Sequence, residues 1–189
     1  MVCMMKRLSN LMLFSNLLST LFYSVSYPYI YAETVKVVPR LYIGLEQVLA
    51  CIGCIIFCRL WNNYSDRLFQ HYRLFLLLEV VADIILFADV IIRHDISFYF
   101  LLNVIIYSVI TKNLCCGGTK MRAMVNPTER EREQYDNNSN IVNAIATLAG
   151  AGAAMVANFE LKWLFIFAFI GNIIDNFFYL YIYEKIRKC

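Results

Sequence analysis

The sequence is poor in the residues from which most enzymes build their active sites. Only two histidines, His71 and His94, occur among 189 residues, and charged residues make up 16% of the chain. No HExxH, GxSxG or Walker loop is present, so zinc chemistry, hydrolysis and nucleotide-driven transport by this chain alone are not expected. We therefore predict a protein that is not an enzyme and that carries no catalytic residues, no metal and no cofactor.

Apolar residues are what the sequence has in excess. They make up 60% of the chain, against roughly 45–50% in a soluble domain. Most of them lie in runs of about 17 to 24 residues, each long enough as a helix to cross a hydrocarbon core of about 30 Å. Because backbone inside lipid must satisfy its own hydrogen bonds, we predict an all-α integral membrane protein surrounded by the lipid bilayer.

Six of these runs are predicted to cross the membrane as helices, in a single membrane domain. Residues 1–111 would hold transmembrane helices 1–4, residues 112–138 a cytoplasmic loop, and residues 139–189 helices 5 and 6. The first span is expected to kink or end near Pro28, which removes a backbone donor. The predicted spans are residues 8–31, 41–58, 74–92, 96–111, 141–157 and 163–183.

The basic residues predict how these spans are oriented. Four of the 17 Lys and Arg residues, Lys36, Arg40, Arg93 and Lys162, lie in one set of alternate gaps between spans. The other thirteen lie in the opposite set: Lys6, Arg7, Arg59, Arg67, Arg73, Lys112, Lys120, Arg122, Arg130, Arg132, Lys185, Arg187 and Lys188. This positive-inside pattern predicts a multi-pass plasma-membrane protein with both termini in the cytoplasm. Because the basic residues flank spans and no loop combines them with an aromatic platform, nucleic-acid binding is not expected.

Two of the predicted spans carry polar and aromatic residues at helical spacing. Such residues are costly in lipid, so each set is expected to face a cavity or a neighbouring helix. The two sets would either line one solvated path or join helices through hydrogen bonds, and the spacing fits both interpretations. The set in span one is Asn16, Thr20, Tyr23 and Tyr27, and the set in span four is Tyr99, Asn103 and Tyr107.

Carboxylates deep within the spans form a second group of candidate residues. Glu79 and Asp83 lie one turn apart in span three, and Asp175 lies between Asn172 and Asn176 in span six. No basic residue shares the helix face of Glu79 and Asp83. These acids are expected to be neutral, to bond polar neighbours, or to handle protons or cations.

Small residues and cysteines mark two further surfaces. Residues 149–154 of span five consist only of Ala and Gly, a surface that would pack within the chain or against a second subunit. Cys51, Cys54 and Cys58 share one helix face, for which packing is favoured over a metal or redox site. Cys115 and Cys116, at the inner end of span four, are candidates for acylation.

Two loop segments resemble motifs of the major facilitator superfamily of transporters. Ser65-Asp66-Arg67, followed by Arg73, resembles the D-R-x-G-R-R loop between the second and third helices of that superfamily. Thr128-Glu129-Arg130 looks like its E-R element before the fifth helix. The chain departs from the motif at Asn62 and at residues 68–71, and it has six predicted helices where the superfamily has about twelve.

The resemblance implies two inverted repeats of three helices, with spans one and four lining a substrate cavity. It also implies a gating role for Asp66, Arg67, Arg73, Glu129 and Arg130. The chain would then be a half-size transporter that moves a small solute or ion as a homodimer or with a second six-helix subunit. The alternative function is a non-transporting accessory or regulatory protein that binds a partner membrane protein.

Overall fold

The described part of the chain is built from helices. The computed structural model describes residues 2–37, 39–93, 110–156 and 160–188. Within these residues it has six α-helices: α1 (Val2–Val37), α2 (Arg40–Gln70), α3 (Tyr72–Arg93), α4 (Lys112–Val125), α5 (Glu129–Val156) and α6 (Leu161–Arg187). The predicted all-α class is confirmed.

Three of the described helices are long and apolar enough to cross a membrane. They lie at Met4–Ala32 in α1, at Glu129–Val156 in α5 and at Lys162–Arg187 in α6. These helices indicate a membrane protein and correspond to the predicted spans one, five and six. Spans two and three fall within α2 and α3, whereas span four, with Tyr99, Asn103 and Tyr107, lies outside the described residues except at 110–111.

The segment 112–138, expected to be a loop, is mostly helical. It contains all of α4 and the first ten residues of α5, and only residues 126–128 interrupt the helices. The start of α5 is a capping box, in which the Thr128 hydroxyl accepts from the Glu131 amide at 3.3 Å. The Glu131 carboxylate in turn accepts from the Thr128 amide at 3.0 Å. This reciprocal cap explains why the charged run after Pro127 continues as helix.

Two further boundaries also differ from expectation. α1 does not end at Pro28 but continues to Val37. The connection between spans two and three is shorter than the predicted residues 59–73, because α2 continues to Gln70 with one non-helical residue, Tyr64.

The fold divides into two compact units. Unit one consists of Met1–Pro28 and Gly118–Cys189, and unit two of Tyr29–Gly117. In unit two, the buried Trp61 indole donates to the Asn113 amide oxygen at 2.9 Å. The buried Tyr72 hydroxyl donates to the Leu114 carbonyl at 3.2 Å. These bonds attach the start of α4 to α2 and α3.

Gly117 is part of the same attachment. A Cβ atom at this position would collide with the Tyr72 ring and would lie 3.2 Å from the Trp61 indole. The glycine therefore lets two buried aromatic rings reach the α4 backbone. This close approach explains why the Gly117-Gly118 pair lies within a helix rather than in a loop.

In unit one, α1 packs against α5 and α6. Phe14 meets Phe178 edge to face at 5.8 Å, and Phe22 lies 6.3 Å from Phe167. Higher residue numbers in α1 thus pair with lower numbers in α6, so these two helices are antiparallel. On the α5 side, a Cβ atom at Gly150 would lie 2.8 Å from both the Leu21 carbonyl oxygen and the Ser24 Cβ.

Gly150→Ala should destabilise unit one, because the added methyl group forces α1 and α5 apart. We expect the free energy of unfolding to fall by about 1–3 kcal/mol. Gly152→Ala is the matched control in the same helix, since its added methyl group would have no neighbouring atom within 4 Å. Thermal unfolding of both purified variants in detergent tests the difference, and equal losses would contradict the close contact.

Candidate functional site

A ladder of polar side chains joins α1 to α5, and we call it the polar seam. The Asn16 amide nitrogen donates to the Tyr135 hydroxyl at 3.2 Å and to the Ser139 hydroxyl at 3.3 Å. The Thr20 hydroxyl donates to the Asn143 amide oxygen at 3.1 Å. The last pair is Ser24 and Thr147, whose hydroxyl oxygens are 3.5 Å apart.

The seam also fixes the relative direction of its two helices. Asn16 with Ser139, Thr20 with Asn143, and Ser24 with Thr147 are each separated by 123 residues in sequence. A constant separation means that residue numbers rise together in both helices. α1 and α5 are therefore parallel, and each contributes a residue to the seam every helical turn.

The predicted stripe of α1 has two different environments. Asn16 and Thr20 are partly buried in the seam, so this half of the stripe joins helices, which is one of the two interpretations left open by the sequence. Tyr23 and Tyr27 are instead 51% and 44% exposed. Their rings stack on each other at 4.6 Å between centroids. The stripe of span four lies outside the described residues.

Two of the three deep acids, Asp175 and Glu79, accept hydrogen bonds from hydroxyl groups distant in sequence. The Ser15 hydroxyl, fully buried, donates to Asp175 Oδ1 at 2.5 Å across the α1–α6 contact. In unit two, the Thr111 hydroxyl donates to Glu79 Oε1 at 3.5 Å. Asp83 is partly buried, and its Oδ2 atom is enclosed. The structure thus brings Asp175 and Ser15 together but places Glu79 and Asp83 in the other unit.

The end of the polar seam at Tyr135 is bordered by charged and amide side chains. Arg122 forms an ion pair with Asp136 at 2.9 Å, and both side chains are substantially exposed. The same guanidinium lies 5.9 Å from the centre of the Tyr135 ring. The Ser9 hydroxyl donates to the Asn126 side-chain oxygen at 3.0 Å. Because Arg122 and Asp136 are exposed, their pair is expected to contribute little to stability.

Sequence reasoning missed the α5 side of this seam. Tyr135, Ser139, Asn143 and Thr147 recur every four residues, which is the same signal that identified the α1 stripe. The first two lie in or next to the predicted loop 112–138, so the pattern crosses the predicted boundary at 138. Continuing the pattern through the charged run would have predicted the seam's second side.

The proposed gating residues lie at exposed helix ends. Asp66 and Arg67 occupy the last turns of α2, and Arg73 lies in the first turn of α3. Glu129 and Arg130 occupy the first turn of α5, next to the capping box. The first three belong to unit two and the last two to unit one.

Cys54 and Cys58 of α2 lie near Cys116 of α4. The Sγ atoms of Cys54 and Cys58 are 3.9 Å apart. Burial, followed by the neighbouring Cys58 thiol, raises the pKa of Cys116 from 9.0 to about 11, whereas Cys115 is exposed. In the part of the chain that the structure describes, no three His, Cys, Asp or Glu side chains are grouped as metal ligands.

Comparison with known protein families, with curated proteins and with solved structures finds no match to this chain.

The Thr20–Asn143 bond should make a measurable contribution to stability. In a double-mutant cycle of Thr20→Val and Asn143→Leu, we expect a coupling energy of about 0.6 kcal/mol and at most about 1.7 kcal/mol. The matched control is a second cycle that combines Thr20→Val with Asn172→Leu, because Asn172 is exposed on α6. Unfolding of the variants in detergent measures both cycles, and equal coupling in the two would argue against the seam.

The two adjacent thiols of α4 should differ in their reaction with iodoacetamide. At pH 8 only about one Cys116 side chain in a thousand is the reactive thiolate, given a pKa of about 11. Variants with Cys115→Ser or Cys116→Ser leave one thiol of the pair, and mass spectrometry follows its alkylation. We expect Cys116 to react slowly and to accelerate as the pH rises toward 11. Reaction of Cys116 as fast as that of Cys115 at pH 8 would contradict the raised pKa of Cys116.

Proposed function

We propose that this chain is a half-size membrane transporter, similar in plan to one half of a major facilitator, that moves a small solute or ion. It would act as a homodimer or with a second six-helix subunit in the plasma membrane, because six helices wall a cavity on one side only. The observation that carries the proposal is that three long apolar helices, two of them parallel and the third antiparallel, meet in unit one through polar and aromatic side chains.

Helix direction supports the predicted number of crossings. α1 and α5 are parallel and α6 is antiparallel to α1, and all three are long enough to cross a membrane. If α1 and α5 cross the membrane in the same direction, the chain between them must cross the membrane an odd number of times. Any odd number satisfies this requirement, and the three crossings that the sequence predicts in residues 38–128 would give six in total.

Each unit combines helices from the two predicted groups of three spans, residues 8–92 and 96–183. Unit one contains α1, which is the first helix of the first predicted repeat. It also contains α5 and α6, which are the second and third helices of the second predicted repeat. Unit two joins residues 111–117, which continue from span four, to α2 and α3. In each unit a hydroxyl of the first helix, Ser15 or Thr111, donates to an acid of the third, Asp175 or Glu79. The two bonds lie at different depths, because Ser15 is in the middle of its span and Thr111 is at the end of its own, so they show how helices pair within each unit.

The proposed path runs along the exposed tyrosines of α1. Asn16 and Thr20 are committed to the polar seam, so the part of the stripe that is open to a solute begins at Tyr23. Tyr23 and Tyr27 offer two stacked rings with hydroxyl groups on an exposed face. Asn103 and Tyr107 of span four belong to the same predicted path and lie outside the described residues.

A second candidate function is partner binding without transport, and the outer face of α5 favours it. This face is apolar and strongly exposed, with Leu148 at 75% and Met155 at 83%. Gly152 lies on it with open space around its backbone. Small and apolar residues of this kind allow close approach of another transmembrane helix.

Accessibility to thiol reagents tests the path without knowledge of the solute. In a variant whose own cysteines are replaced by serine, Tyr23→Cys and Tyr27→Cys should react with a charged, membrane-impermeant thiol reagent. Leu148→Cys is the matched control, because it is more exposed but should face lipid or a partner. We expect this control to react only with a lipid-soluble maleimide, with labelling measured by mass spectrometry in proteoliposomes.

The two functions predict opposite results. If α1 lines a solvated path, the charged reagent reaches Tyr23→Cys, about 13 Å from the end of the span at Ala32. If α1 only joins helices, the charged reagent modifies neither Tyr23→Cys nor Leu148→Cys in a protein that remains monodisperse. In that case the transport proposal fails, and protection of Leu148→Cys from the maleimide would support partner binding.

A further inference from the structure

The Asp175 carboxyl lies in an unusual position for an acid. It is residue 15 of the 27 in α6, near the middle of a helix long enough to cross the membrane. Its hydrogen-bond partner, Ser15, is fully buried and lies in the middle third of the α1 span. Asn176, the next residue in α6, is only 7% exposed. The acid is therefore held at a helix–helix contact far from both ends of the bundle.

In the described part of the chain, no basic side chain forms an ion pair with the Asp175 carboxylate. The ion pairs described in unit one are Arg122–Asp136 and Lys162–Glu160, both at exposed positions. The titratable group of α5 that faces the same region is Tyr135, whose hydroxyl accepts from Asn16. α1 presents Ser15, which has a hydroxyl group but no charge. An isolated carboxylate in such surroundings is costly, and a bound proton removes that cost.

We propose that Asp175 is a proton-binding site within the membrane and that Ser15 positions it from α1. The proton binds the carboxyl oxygen that is not engaged by Ser15. Ser15 donates to Oδ1 in both forms, but its bond is stronger to the charged carboxylate, so it eases release of the proton. Proton binding thereby changes the charge at the contact between α1 and α6. This inference does not depend on transport and would hold equally for a partner-binding protein.

A lipid-soluble carbodiimide tests the site in the intact protein. The O–H of a protonated carboxyl adds across a C=N bond of the reagent, and the adduct rearranges to a stable acylurea without any other reactant. We would treat the full chain in nanodiscs with dicyclohexylcarbodiimide and locate the adduct by peptide mass spectrometry. Asp175 should be labelled at about pH 7, and labelling should fall as the pH rises. Asp136, exposed and paired with Arg122, is the internal control and should stay unlabelled.

Two variants separate the proton site from a merely structural contact. Asp175→Asn keeps the shape of the side chain, and it should remain monodisperse but lose the adduct. Ser15→Ala should move the pH of half-maximal labelling upward, by about one unit or less, because the carboxylate loses its donor. Absence of an Asp175 adduct at every pH tested would overturn the proposal. An unchanged pH profile in Ser15→Ala would overturn the positioning role of Ser15.

Discussion

The inability of lipid to hydrogen-bond polar groups is the constraint on which unit one depends. A polar side chain in a transmembrane helix must find its partner within the protein, and α1 carries Ser15, Asn16, Thr20 and Ser24 in its span. Each of them bonds a side chain of α5 or α6. The individual bonds are weak, but together they specify which helices meet, in which direction and in which register. Close packing at Gly150 is possible because the same register places a glycine opposite Leu21 and Ser24.

Much of the helical content could be predicted from the sequence, because it follows from the length of the apolar runs and the chemistry of lipid. The α1 stripe could also be found by its spacing. The contacts of its residues could not be predicted, because the same spacing suits a cavity and a helix interface. The structure assigns Asn16 and Thr20 to an interface and leaves Tyr23 and Tyr27 exposed, a division that depends on where α5 lies.

The misjudged segment 112–138 shows a different limit of sequence reasoning. Gly117, Gly118 and Pro127 are residue types typical of loops, and a charged run such as residues 129–133 is typical of a linker. Gly117 is instead required by the Tyr72 ring, and Thr128 with Glu131 caps a helix that begins in the charged run. A glycine that serves a tertiary contact cannot be distinguished from one that ends a helix without knowledge of the contact. The capping box, in contrast, is a local pattern that the sequence does contain.

The order in which the chain is synthesised gives the polar seam a further consequence. Thr20 is made 123 residues before Asn143, and Ser15 is made 160 residues before Asp175. Unit two, which ends at Gly117, is complete before α5 and α6 exist. During that interval the polar side chains of α1 need other hydrogen-bond partners, because α5 and α6 have not yet been made. Unit one therefore cannot be completed until α5 and α6 have been made, and loss of either helix would leave polar side chains of α1 without these partners.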